Sequence, residues 1–76
     1  MKSITRKSAE ELAERMIGEA EKTGSADWDT IFLVSNGDGS YSEGDNGEGE
    51  DDLSRDAVKR ILINDILLRA GYRGID

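Results

Sequence analysis

Trp28-Asp29-Thr30-Ile31-Phe32-Leu33-Val34-Ser35-Asn36-Gly37-Asp38-Gly39-Ser40-Tyr41-Ser42-Glu43 is the stretch whose reading decides the fold. Ile31-Phe32-Leu33-Val34 is an unbroken run of β-branched, aromatic and aliphatic residues, the composition of a strand. Asn36-Gly37 and Asp38-Gly39 are overlapping hairpin-turn signals. The residues from Ser40 to Glu43 then return as a second, short strand, giving a β-hairpin over 28–43. Three registers satisfy these turns: Tyr41 opposite Phe32, opposite Val34, or opposite Asn36. Side chains alternate along a strand and cross-strand partners share a face. All three registers therefore place Tyr41 on the side of Trp28, Phe32 and Val34. That side gathers three of the four aromatic residues of the chain and is expected to form the core, with Ile31 and Leu33 pointing away.

The hairpin is flanked by two helical patterns. Before it, Ala9, Leu12, Ala13, Met16, Ile17 and Ala20 follow the 3.6-residue period of an amphipathic helix over 8–23. Ser8-Ala9-Glu10-Glu11 reads as its capping box and Gly24 as its stop. Gly18 inside this pattern costs about 1 kcal/mol relative to alanine and marks either a close contact or an early end. After the hairpin, residues 53–70 form a second helix, capped by Asp52 or Ser54, with Asp56 at its positive end and Arg69 at its negative end. Gly71 suits the stop position beyond it, and Tyr72 can pack back on Leu67. Residues 71–76 read as a frayed tail. Between hairpin and second helix, Gly-Asp-Asn-Gly-Glu-Gly-Glu-Asp-Asp over 44–52 contains neither an apolar nor a basic residue. This composition predicts a mobile acidic loop. The fold expected is a single small α+β domain spanning 1–76, helix–β-hairpin–helix (αββα), with both helices on one face of a short antiparallel sheet.

Composition limits what such a domain can do. A chain of 76 residues buries only about 60% of the surface its unfolded form exposes, so a deep pocket would compete with the core for the same apolar side chains. There is no cysteine and no histidine, which removes disulfides, thiolate metal sites and the commonest general base. EF-hand frames starting at Asn36, Asp38 or Gly44 all fail at a required position. Gly37-Asp38-Gly39 and Gly47-Glu48-Gly49 superficially resemble phosphate loops, but each holds an acidic residue and neither is followed by Lys-Ser or Lys-Thr. Asp27 and Asp29 flank Trp28 without any sign of a pocket to separate their pKa values. The reading is a non-enzyme with no cofactor and no metal. No apolar run reaches the ~20 residues of a membrane span, and no apolar segment follows the N-terminal charges, so a cytoplasmic location is expected.

The net charge is −7, which disfavours nucleic acid and anionic membranes and favours basic protein surfaces. The acidity concentrates between Asp38 and Asp52, where Asp38, Glu43, Asp45, Glu48, Glu50, Asp51 and Asp52 occur without a basic residue. These are the first candidate binding residues. The second helix supplies another set. Leu62, Ile63, Ile66, Leu67 and Ala70 form one broad apolar face, while Ala57, Ile61 and Leu68 lie roughly opposite as a docking ridge or homodimer seam.

A short, acidic, cysteine-free helix–hairpin–helix domain with the carboxylates Asp38 to Asp52 resembles, in size and charge, the small phage-encoded inhibitors of bacterial defence systems, anti-CRISPR proteins among them. The resemblance implies a partner protein with a basic surface, such as a nucleic-acid-binding complex whose DNA groove the acidic protein fills. A DNA mimic needs carboxylates on rigid elements, because duplex phosphates are regularly spaced, whereas a glycine-rich loop would hold them loosely. Two other classes fit the same features: an antitoxin-like neutraliser of a basic toxin, and a structural or regulatory module that dimerises through the second helix.

Overall fold

A computed structural model describes residues 5–70. The elements run α1 (Arg6–Thr23), β1 (Ser25–Trp28), β2 (Ile31–Ser35), β3 (Tyr41–Asp45), β4 (Glu48–Leu53) and α2 (Arg55–Arg69). The four strands form one antiparallel sheet in the order β1-β2-β3-β4. Both helices pack together on one side of this sheet, α1 over β1 and β2 and α2 over β3. The α+β class and the helix–strands–helix order are those expected from the sequence, with four strands where the hairpin signals gave two. Gly71 and Tyr72, like the rest of the 71–76 tail, lie outside the described residues.

The additional strands come from two tight turns. Trp28 pairs directly with Ile31, so Asp29 and Thr30 form a two-residue connection, with Asp29 at φ 56°. The second turn is Asn46-Gly47, at φ 56° and 85°, between the paired residues Asp45 and Glu48. Positive φ at both central residues is the geometry for which Asn-Gly is selected in two-residue hairpins. The segment 44–52 is therefore not a mobile loop: Gly44 and Asp45 complete β3, and Glu48 to Leu53 form β4. Gly49 sits opposite Gly44, and a Cβ at position 49 would lie 1.9 Å from the Glu43 carbonyl oxygen. Glycine is thus what allows this largely acidic strand to approach its neighbour.

The register between β2 and β3 overturns the expected core. Ser35 pairs with Tyr41, and the Asn36 N–H donates to the Ser40 carbonyl, leaving Gly37-Asp38-Gly39 as a three-residue loop. Each of the three expected registers has an even number of residues in its loop; the observed odd number exchanges the faces. Tyr41 now lies with Ile31 and Leu33 under the helices, and all three are buried. Phe32 and Val34 face away from the helices and are half-buried. Trp28 remains on the helix side, partly covered by the core, because the tight turn at Asp29-Thr30 puts it in phase with Ile31. The partial burial of Phe32 has its own cause. Its ring lies across Gly44, where a Cβ would approach Phe32 Cζ to 2.5 Å.

Ala9, Ala13, Met16, Ile17 and Ala20 of α1 and Val58, Leu62, Ile63, Ile66 and Leu67 of α2 complete the core. α1 begins two residues before the expected capping box. Thr5 is its N-cap and accepts from the Ser8 N–H, so Ser8 is a donor within the first turn instead of the cap. Gly24 closes α1, its N–H donating to the Ala20 carbonyl. At α2 the N-cap is Ser54, which accepts from the Ala57 N–H, and Asp52 belongs to β4. Gly18 neither ends α1 nor makes a close contact, for a Cβ there would meet nothing within 4 Å.

Two stability outcomes follow. Leu33→Ala should cost about 2–5 kcal/mol and Phe32→Ala clearly less, as measured by urea denaturation. The opposite order would restore the Phe32 face as the core. Gly18→Ala should stabilise the protein by about 0.5–1 kcal/mol, visible as a melting temperature several degrees higher.

Candidate functional site: the acidic hairpin

The hairpin β3–β4 gathers most of the acidic residues singled out in the sequence. β4 is the outermost strand, and neither helix has its main packing there. Glu48, Glu50, Asp51 and Asp52 are all exposed on it. The pairing slips between Tyr41 and Glu43, so that Asp51 and Asp52 lie in a bulge opposite Ser42, with Asp52 at φ 57°. Bulges and charges along an edge discourage strand pairing with another copy. Among the described residues, none of these four carboxylates has a cationic partner within ion-pair distance.

Four acidic residues outside β4, Glu14, Glu21, Asp29 and Asp45, are neutralised by ion pairs, whereas Glu10, Glu11, Glu19, Asp27 and Asp56 are exposed without one among the described residues. Glu14 of α1 meets Lys59 at 2.9 Å and Arg55 at 3.8 Å. Lys59, by its hydrogen bond, holds the Glu14 carboxyl below its usual range, with Arg55 adding to the effect. Glu21 accepts from the Tyr41 hydroxyl and from Arg55, 3.3 Å away. The Tyr41 bond is the larger cause of its lowered pKa, and the same bond raises that of Tyr41. This network ties α1, α2 and β3 together across the exposed side of the helix pair.

The remaining members of the acidic set are separate from the β4 surface. Asp38 lies at the tip of the β2–β3 loop, accepting from the Ser40 hydroxyl at 2.6 Å and its N–H at 3.0 Å. These bonds lower its pKa and make it a loop-forming residue. Asp45 accepts from the Thr30 hydroxyl and lies 3.7 Å from the Arg69 guanidinium. Arg69 also donates to Thr30 and reaches Asp29 at 3.9 Å, so one arginine clamps the two tight-turn regions to the end of α2. Asp27 points to the open side of β1, exposed, while Asp29 is engaged by Arg69; the two do not form a catalytic pair.

Glu43 departs furthest from its expected place. It lies on the helix side of β3, opposite Leu33 and Glu50, and is only 3% exposed. Its Oε2 has no hydrogen-bond partner. Burial pushes its pKa up to about 8, and the neighbouring Asp65, Asp45 and Glu50 carboxylates push in the same direction. Its alternation with Asp45 along β3 is visible in the sequence; its inward direction follows only from the odd loop.

The second candidate set lies along α2. Ala57 and Ile61 are half-buried, and Leu68 is 68% exposed. Successive i+4 steps place Ala57, Ile61, Asp65 and Arg69 on one stripe. Asp65 and Arg69 of that stripe act on residues of β3, and Leu68, seven residues after Ile61, falls in the same sector as Ala57 and Ile61. A shallow groove of about 420 Å³ between α1 and β1 has Leu12, Met16 and Trp28 in its lining and Arg15, Glu19 and Asp27 among its charged residues. Among the described residues, no group of three or more acidic side chains has the arrangement of a metal site, and no helix is long and apolar enough to cross a membrane.

Comparison with protein-family models, with curated proteins and with solved structures finds no match for this chain.

The clamp predicts that Arg69→Ala will lower stability by no more than about 1 kcal/mol, since exposed ion pairs contribute little. It should nevertheless free Asp45 and the Asp29-Thr30 turn. Faster amide hydrogen exchange at Asn46, whose N–H donates to the Thr30 carbonyl, is the measurement that checks it.

Proposed function

We propose that this protein is a non-enzymatic acidic binding module that docks its β4 edge on a basic surface of a partner protein. The partner class that fits is a nucleic-acid-binding protein, and the mode of action is occlusion of its basic groove, as in an inhibitor of the anti-CRISPR kind. The observation that supports this reading is the concentration of four exposed, unpaired carboxylates on one strand. Glu14, Glu21, Asp29 and Asp45 are all matched with arginine or lysine, whereas Glu48, Glu50, Asp51 and Asp52 stand on an exposed edge strand with no such match among the described residues. Unneutralised carboxylates at one edge focus negative potential and speed encounter with a positive partner. The strand holds the alternate side chains of Glu48 and Glu50 about 6.8 Å apart along its axis, and the bulge sets Asp51 and Asp52 beyond them. Little conformational entropy is then lost when the surface docks.

The second reading is self-association or docking through α2. It is favoured by Leu68, the one large apolar side chain among the described residues that stands mostly exposed. The two readings respond differently to substitution. Replacing Glu48, Glu50, Asp51 and Asp52 together by Gln or Asn should lower the association rate with a basic partner by on the order of tenfold or more at low salt and flatten its salt dependence. The test begins by capturing the partner from lysate and then measures rates by surface plasmon resonance at two ionic strengths. Unchanged rates with an unchanged salt slope would remove β4 from the interface. Loss of binding or of a dimer in Leu68→Glu, with the β4 variant unaffected, would assign the interface to α2.

A further inference from the structure

A carboxyl group on the buried side of a sheet requires an explanation, because an unpaired buried charge is among the most costly arrangements in a protein. Glu43 has its Oε2 closed off from solvent and facing no hydrogen-bond donor. Its charged surroundings come from three elements, and all are of its own sign: Asp65 from α2, Asp45 from β3 and Glu50 from β4. From β2 it faces Leu33, which is apolar. Of the cations of α2, Arg55 and Lys59 are engaged with α1 and Arg69 with Asp45 and Asp29, while Arg60 is exposed beside Arg6, Ile63, Asn64 and Leu67. An ionised Glu43 could only accept hydrogen bonds, and its surroundings offer it none at Oε2. A protonated Glu43 has an O–H to donate, and a carboxylate is an acceptor. The acceptor in reach is Asp65, half-buried on the stripe of α2 that faces β3.

We propose that the buried Glu43 keeps its proton and donates it toward Asp65, and that this proton is a latch holding α2 to the β3–β4 hairpin that carries the acidic edge. The proton supplies the one hydrogen bond between two groups that would otherwise repel. Its loss places a second negative charge beside Asp65, Asp45 and Glu50, and the strain falls on the contact between α2 and β3. The latch does not depend on which partner the acidic edge binds.

The sign of the pH effect follows from linkage. A carboxyl raised from 4.5 to about 8 by folding is protonated in both folded and unfolded chains at low pH. Between these values the folded chain keeps a proton that the unfolded chain has lost. Over that window the folding equilibrium constant falls by about tenfold per pH unit, and above it the loss is complete. Glu14, Glu21 and Asp38, whose pKa values are lowered, act in the opposite sense and only as pH falls through the ordinary carboxylate range. Stability should therefore be greatest at mildly acidic pH and decline toward pH 8.

The test combines a direct titration with two variants. Carboxyl 13C resonances of the unmodified protein should show Glu43 titrating near pH 8. Urea denaturation between pH 5 and pH 9 should show a midpoint that declines with pH in the unmodified protein. In Glu43→Gln, which keeps a donor for Asp65 and cannot ionise, the decline should disappear. Asp65→Asn should move the Glu43 titration downward, because the neighbouring charge is gone. Amide exchange in α2 and β3 should accelerate beyond its intrinsic pH dependence above pH 8 in the unmodified protein and not in Glu43→Gln. A Glu43 resonance that titrates in the ordinary carboxylate range overturns the latch whether or not the variants fold. So does a decline with pH that persists in Glu43→Gln.

Discussion

Three residues, Gly37-Asp38-Gly39, separate the paired Asn36 and Ser40, and the rest of the molecule depends on that number being odd. A strand's side chains repeat every two residues, so one residue more or fewer in a loop exchanges the two faces of everything that follows. With three residues in the loop, Tyr41 joins Ile31 and Leu33, and these become the floor on which α1 and α2 pack. Glu43 is carried inward by the same phase. The core and its buried acid are two results of one register.

The two helices cover a sheet that is wider than they are. α1 lies over β1 and β2 and α2 over β3, which leaves β4 as an uncovered margin. A margin of this kind must be soluble on both faces, and the sequence of β4 meets that need with Glu, Gly, Glu, Asp and Asp before Leu53 turns back to the core. Gly49 lets the strand lie close to Gly44, and Phe32 covers that glycine from the open side. The acidic edge is thus held by backbone pairing and by one aromatic ring, with no helix behind it. Its carboxylates keep a fixed spacing without an apolar cover that would draw them from water.

Charge is distributed unequally as a consequence. On the helix side, Arg55, Lys59 and Arg69 are placed by α2 within reach of Glu14, Glu21, Asp29 and Asp45. No described cation reaches the outer strand. The Tyr41 hydroxyl adds to this asymmetry, because it satisfies Glu21 on the side where the cations already are. Four unpaired carboxylates therefore stand together at one margin of the sheet, and the acid nearest that margin inside the fold, Glu43, has its pKa raised by burial and by its neighbours.

The sequence by itself determined both helices, the α+β class, the Gly24 stop, the strand character of Ile31 to Ser35 (within a stretch read as one strand from Trp28) and the acidic character of residues 38–52, because each rests on local periodicity, capping or composition. The Asn46-Gly47 turn was also legible: it is the same signal as Asn36-Gly37, and it was masked by the absence of any apolar residue around it. Strand β4 has no apolar alternation to reveal it, since a margin exposed on both faces needs none. What only the tertiary structure decided was phase. Local turn preferences left open whether the β2–β3 loop holds an even or an odd number of residues. The choice is made by which face, Ile31 and Leu33 or Phe32 and Val34, the helices can bury. Ile31 and Leu33 share the buried core with Ala9, Ala13 and Ala20 of α1, whereas the Phe32 ring finds its cover on the open side, over Gly44. From that choice came the inward turn of Glu43 and the placement of its neighbours, which no spacing along the chain could disclose.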